Sequence, residues 1–220
     1  MYIFVDAAAA EEYDRCERIF NRLTPPAPDA RVQAVRPGSQ AIGSSQRINA
    51  TSNPCVTNTS LVVLGNDRVV HAPEVTPGTK VRTGNGGQAT VTHVVITKGL
   101  APDSEFVTMS QGLCITPTHP IRIGGVWKRP HEIGKREHHY GVEAIYSYAL
   151  EEGCKCPTMV VGGHEIATLG HGLKGNVIEH SFLGERACLE GLGPVTTFKG
   201  GAIQRDATGY AVGWKMENRC

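Results

Sequence analysis

Aromatic residues are scarce in this chain, with Phe, Trp and Tyr together making up 6% of 220 residues. Charge of one sign is also missing, because a net charge of +1 gives neither nucleic acid nor an anionic membrane a reason to bind. No apolar run approaches the roughly 20 residues that a spanning helix needs. The N-terminus, Met1-Tyr2-Ile3-Phe4-Val5-Asp6, lacks both the basic region and the long apolar stretch of a signal peptide. The seven cysteines, Cys16, Cys55, Cys114, Cys154, Cys156, Cys188 and Cys220, are odd in number and irregular in spacing. That is a poor disulfide framework, and reduced thiols in a cytoplasmic setting are the simpler expectation.

Turn formers are plentiful. With 26 Gly and 13 Pro, the chain favours short strands over long helices. Residues 7–23 are the exception and read as a helix, with Tyr13, Ile19, Phe20 and Leu23 roughly on one face. Thr24-Pro25-Pro26-Ala27-Pro28-Asp29 stops it, and residues 29–54 read as a linker. From Cys55 onward, short β-rich runs alternate with turns. Leu61–Leu64 and Arg68–Val70 flank Gly65-Asn66-Asp67. Lys80–Thr83 and Ala89–Thr97 flank Gly84-Asn85-Gly86-Gly87, where Asn-Gly supplies the positive φ that hairpin turns require. Further strands are expected at 105–109, 112–115, 121–123, 142–150, 158–161, 165–169 and 208–214. This spacing argues for an all-β domain.

Chemistry gathers at two places. A cysteine that opens a β-domain directly after a linker can attack the peptide bond on its own N-terminal side. Cys55 follows Asn53-Pro54 and leads into Val56-Thr57-Asn58-Thr59. The result of that attack is an N-to-S acyl shift that turns the Pro54–Cys55 amide into a thioester. The step needs a proton for the leaving nitrogen and a donor near the carbonyl oxygen. Thr116-Pro117-Thr118-His119-Pro120 offers a hydroxyl and an imidazole on a loop stiffened by two prolines.

These segments, in this order, resemble the motifs of Hint domains, the Hedgehog/intein fold. Cys55-Val56-Thr57-Asn58-Thr59 is similar to the first motif, and Thr116-x-x-His119 to the TxxH motif. Tyr146-Ser147-Tyr148-Ala149-Leu150, then Met159-Val160-Val161-Gly162-Gly163, then Ala167-Thr168-Leu169-Gly170-His171-Gly172 are similar to the two C-terminal motifs. The resemblance implies a flattened horseshoe of short strands and a catalytic set of Cys55, Thr116, His119 and His171. Cys55 would be the nucleophile, His119 the donor to the leaving nitrogen and Thr116 the group near the carbonyl. His171 would stand where inteins place their penultimate histidine. Inteins carry Asn after that histidine and cyclise it, whereas this chain has Gly172 and runs on. One-ended cleavage is therefore expected rather than splicing.

A narrower resemblance, through Phe20-Asn21-Arg22-Leu23-Thr24-Pro25-Pro26-Ala27-Pro28 and Asn176 to Gly184, is to the Hint region of proteins that join it to a von Willebrand factor A domain. It implies that residues 1–54 are a remnant upstream of the processing site, 55–184 the processing domain and 185–220 a C-terminal extension. On this reading the substrate is the chain's own N-terminal segment. Water, a thiol or an amine resolves the thioester, and no cofactor or metal is needed. Cys154-Lys155-Cys156 with His164 is too tightly spaced for the usual zinc pair. His138-His139 reads as a solvated loop. Two other readings stay open: an inactive binding or structural module that kept the fold, and a Cys55/His119 hydrolase acting on other proteins.

Overall fold

The computed structural model describes residues 54–138 and 141–220, which lie within one compact unit. The helix expected at 7–23 falls outside the described residues. The described residues form β1 (Val56–Thr57), β2 (Leu61–Val63), β3 (Val69–His71), β4 (Lys80–Arg82), β5 (Gln88–Lys98), β6 (Glu105–Met109), β7 (Leu113–Ile115) and β8 (Ile121–Ile123). They continue with β9 (Val126–Lys128), β10 (Arg136–His138), β11 (Ala144–Leu150), β12 (Thr158–Val161), β13 (His164–Ala167), β14 (Val195–Lys199), β15 (Ile203–Arg205) and β16 (Ala211–Trp214). Helical structure among them is confined to 3₁₀ turns of three or four residues. The domain is all-β.

Turn chemistry sets the local pairings. β2 and β3 form a hairpin with Val62 opposite Val70, and Asp67 takes a positive φ of 66° in its turn. β4 and β5 pair Val81 with Ala89 around Gly86, whose φ is 80°. β12 and β13 are joined by Gly162 and Gly163, at φ 51° and 70°. Here glycine is required twice over, because a Cβ on Gly162 would also come within 2.6 Å of the Leu113 backbone nitrogen.

The strands assemble into a large sheet in the order β10-β6-β7-β1-β11-β5-β14, with β4 also on β5. A second sheet runs β3-β2-β12-β13-β8-β9, and β15-β16 form a ribbon. β11 is buried along all seven residues, so the two-residue period of a strand divides its side chains between two environments. Ala144, Tyr146, Tyr148 and Leu150 join the main core with Val62, Val81, Leu113, Ile121, Met159 and Ile166. Ile145 packs instead with Cys55, Phe106 and Cys114, and Ala149 joins a further cluster that includes Leu183, Cys188 and Phe198. Ser147 lies between these two on the same face.

β5 serves both cores by means of a bulge. Ala149 pairs with His93 and Leu150 with Val91, leaving Thr92 as the extra residue. Its hydroxyl donates to the Ala149 carbonyl at 3.3 Å. Val91 and Val94 then face the main core and Val95 the other cluster.

The last third of the chain is built into this body. β14 pairs in parallel with β5, Val195 opposite Val94 through Lys199 opposite Lys98. Phe198 is fully buried and stacks on Trp214 with centroids 5.6 Å apart. β10, where a solvated loop was expected, is an edge strand on β6. Its Arg136, Glu137 and His138 are all exposed, so it is held by backbone pairing and a surface ion pair from Arg136 to Glu105 on β6 at 3.7 Å. Charged side chains on such an edge also discourage pairing with other chains. His139 lies outside the described residues.

Candidate functional site

Sheet register brings the site together. Val56 on β1 pairs with Ile115 on β7 and with Tyr146 on β11. Carried one residue back along both antiparallel ladders, the same register sets Cys55 between Thr116 and Ser147. The Thr116 N–H donates to the Cys55 carbonyl at 3.0 Å.

Hydroxyl groups hold the Pro54–Cys55 peptide at both ends. The Cys55 N–H donates to Thr116 Oγ1 at 3.1 Å, and that hydroxyl donates onward to the Cys55 carbonyl at 3.2 Å. Ser147 Oγ donates to the Pro54 carbonyl at 2.8 Å and lies 2.9 Å from Cys55 Sγ. Thr116 thus engages the nitrogen end of this bond, although the motif led to the expectation of a role near the carbonyl oxygen. At that oxygen stands Ser147, a residue given no role by the sequence motifs. Its signal was the alternation along β11, which puts residue 147 on the face opposite Tyr146 and Tyr148, but the pairing with Cys55 needs the register.

The TxxH loop runs from β7 in the large sheet to β8 in the smaller one and is pinned along its length. His119 N–H donates to the Thr116 carbonyl at 3.2 Å. The Pro117 carbonyl accepts from both the backbone N–H and the ring Nδ1 of His131, at 3.1 and 2.7 Å. Ala167 at the end of β13 donates to the Pro120 carbonyl at 3.1 Å, and its own carbonyl accepts from His119 Nε2 at 2.8 Å. Because a carbonyl only accepts, His119 carries its proton on Nε2 and presents a lone pair at Nδ1. That atom is buried with no hydrogen-bond partner.

The electrostatics of this buried site keep both reacting groups neutral. Cys55 is 2% exposed, and burial pushes its thiol up to about 12, against a smaller downward pull from Ser147. Burial lowers His119 to about 4, opposed by the backbone of Ala167 and of Cys55 and reinforced by His171. The sequence reading gave His119 a proton-donating range near neutrality. In the folded domain it is instead a neutral imidazole at pH 7 that must first accept a proton. His171 is buried too, and is lowered to about 4 by burial first and by nearby His180 second. Its Nδ1 accepts from the Leu173 N–H at 2.9 Å. Cys55, Thr116 and His119 therefore meet around one peptide bond, while His171 bears on His119 only through the repulsion the two rings exert when both are charged.

After His171 the chain turns sharply. Gly172 has φ 66° and donates its N–H to the Gly184 carbonyl at 2.7 Å. At Cys154-Lys155-Cys156, the Cys154 thiol donates to the Cys156 carbonyl at 3.2 Å, and the Cys156 sulfur lies 3.1 Å from Thr158 Oγ1. His164 Nε2 lies 3.4 Å from Ser110 Oγ. The three side chains of this motif thus point to separate partners.

No curated protein matches the chain. Among solved structures, the chain is similar to the bacterial intein-like domain from Clostridium thermocellum, with a TM-score of 0.42 and 14% identity over 53% of this chain and 99% of that domain. It is also similar to a DnaB intein from Synechocystis sp. PCC 6803, with a TM-score of 0.40 and 13% identity over 52% of this chain and 97% of that one. A family model, Vint, described as a Hint-domain, matches residues 54–210, well over half of the sequence, and the chain belongs to this family of Hint domains, whose members include self-processing proteins.

Proposed function

We propose that this domain cleaves its own chain at Pro54–Cys55 by an N-to-S acyl shift. The observation that carries the reading is the grip on that peptide bond, with Thr116 Oγ1 on its N–H and Ser147 Oγ on its carbonyl, beside the Cys55 thiol. Cys55 Sγ adds to the Pro54 carbonyl carbon. The carbon–nitrogen bond then breaks, the Cys55 nitrogen leaves as an amine, and a thioester links Pro54 to Cys55 Sγ. His119, whose titration is influenced by the Cys55 backbone, takes up a proton at its unpartnered Nδ1 and returns it to the leaving nitrogen. Water, a thiol or an amine then resolves the thioester, and the released piece is residues 1–54. The reaction calls for no metal or cofactor.

Cleavage at one end is favoured over splicing by two features. Gly172 offers no side chain to cyclise, and the residues after it supply Leu183, Cys188, Phe198, Ile203 and Ala211 to a core cluster. A segment that completes the fold is a poor candidate for release. The depth of Cys55 argues against a hydrolase acting on other proteins, since the place of a foreign carbonyl is held by Pro54. The neutral resting state of Cys55 and His119 favours one second reading, a domain that keeps the fold without the activity.

Intact mass of the purified full chain, with and without dithiothreitol or hydroxylamine, separates these readings. Self-cleavage gives a product that begins at Cys55, is absent in Cys55→Ala and forms more slowly in His119→Gln. A chain that stays at 220 residues in strong thiol sinks the proposal and leaves the inactive module.

A further inference from the structure

We infer that Ser147 is a catalytic residue of this cleavage, passing the Cys55 thiol proton to the Pro54 carbonyl oxygen as the sulfur attacks, so that no free thiolate is formed. The inference rests on the self-cleavage reading above.

The geometry fixes the order of the protons. The Pro54 carbonyl carries no hydrogen, so at 2.8 Å Ser147 must be the donor. A hydroxyl has one proton to give. The 2.9 Å contact with Cys55 Sγ therefore runs the other way, with the thiol donating to Ser147 Oγ. The path is continuous from S–H through O–H to O=C, and it closes on itself when sulfur reaches the carbonyl carbon. Cys55 and Ser147 are both buried, with Ser147 4% exposed, and the path needs no water to complete it.

The step balances. The sulfur lone pair forms the C–S bond, and the π pair of the carbonyl moves to its oxygen. That oxygen takes the Ser147 proton while Ser147 Oγ takes the thiol proton, leaving Ser147 unchanged and the tetrahedral intermediate uncharged. The hydroxyl proton of the intermediate then travels by way of His119 Nδ1 to the departing Cys55 nitrogen. Overall, an amide and a thiol have become a thioester and an amine.

A thiolate route has little to work with here. With the thiol pushed up to about 12, only about one molecule in 10⁵ is ionised at pH 7. A relay makes the neutral thiol competent and explains why a hydroxyl, rather than a charged base, suffices in so apolar a site. It also separates the roles of the two hydroxyls, with Ser147 serving bond formation at the oxygen and Thr116 holding the nitrogen.

The test uses the full chain with residues 1–54 in place and hydroxylamine in excess, so that trapping is fast, over pH 6–10. Wild type should cleave at a rate that is flat from pH 6 to 9. Ser147→Ala should be slower by about 10²-fold or more at pH 7, as loss of positioned proton transfer implies. Its rate should climb about tenfold per pH unit, because only thiolate can then attack. Ser147→Thr keeps the hydroxyl and should recover most of the rate and the flat profile. Wild type in mixtures of light and heavy water supplies a readout that needs no variant, and two protons in flight predict a curved dependence of rate on deuterium fraction. A Ser147→Ala protein with a wild-type rate, or one that is slower but still flat with pH, overturns the relay while leaving self-cleavage intact. A linear isotope dependence does the same. No cleavage of wild type under hydroxylamine overturns both.

Discussion

Replacing His119 by glutamine should make the domain markedly less sensitive to mild acid. In the folded chain burial holds His119 at about 4, whereas the unfolded chain restores the ordinary value near 6.5. As pH falls through 6.5 the unfolded chain takes the proton first. The stability linked to this histidine is therefore complete above about pH 6.5 and is lost progressively down to about pH 4. Between pH 7 and pH 5 the loss works out at about 2 kcal/mol for this one group. Glutamine does not titrate, and its amide can still donate to the Ala167 carbonyl that His119 Nε2 engages at 2.8 Å. The assay is urea unfolding at pH 7 and pH 5 in a Cys55→Ala background, which keeps the chain whole. The difference between the two pH values should be about 2 kcal/mol smaller in His119→Gln, and the remainder should reflect the other histidines that burial lowers, His171 together with His93, His164 and His180. An unchanged difference would refute the reasoning, because it would mean that His119 is hydrated or already charged in the folded domain.

Two further outcomes follow from burial and backbone geometry. Folded protein treated with iodoacetamide at pH 8 should label Cys55 at least about 10³-fold more slowly than urea-unfolded protein. A thiol at about 12 is ionised about 10³-fold less than one at 9.0, and exposed Cys220 reports in the same sample that the reagent is active. Comparable labelling of Cys55 in both states, read by peptide mass spectrometry, would contradict the closed site. Gly162→Ala should cost more than about 2 kcal/mol, since strain at positive φ is added to a clash with the Leu113 backbone. Gly86→Ala, at φ 80° but with nothing near its Cβ, should cost about 1 kcal/mol, and the two are compared by thermal unfolding.

Most of the strand pattern was legible because local chemistry writes it. Asn85-Gly86 marked one hairpin, and β6, β8 and β12 fall where β-branched runs end at turns. The strands without a local signature escaped notice. β10 buries no side chain, so no periodicity betrays it. β14 is held by parallel pairing to residues about a hundred positions earlier, which neighbouring residues do not encode. The site divides in the same way. Cys55 and the Thr116–His119 loop carry a recognisable order in the sequence. Ser147 owes its place to register, and the shifted ionisation of His119 owes its sign to burial, and neither is written in one segment of chain. The helix expected before the linker lies outside the described residues.

The hydrogen bond from the Cys55 N–H to Thr116 Oγ1 bears on how the proposed reaction runs to completion. Once the acyl group has moved to sulfur, the nitrogen it left is a primary amine on the same residue, still tethered in the same pocket. An amine held against a thioester at such an effective concentration, ~10⁵ M or more for well-oriented groups, tends to take the acyl group back. The amide and the thioester then interconvert many times before anything escapes, and the amide dominates at rest. The pace of cleavage is consequently set by the supply of an outside nucleophile. A chain kept with water as its only nucleophile loses its upstream segment slowly, as a latent precursor that answers to the thiol or amine content of its surroundings.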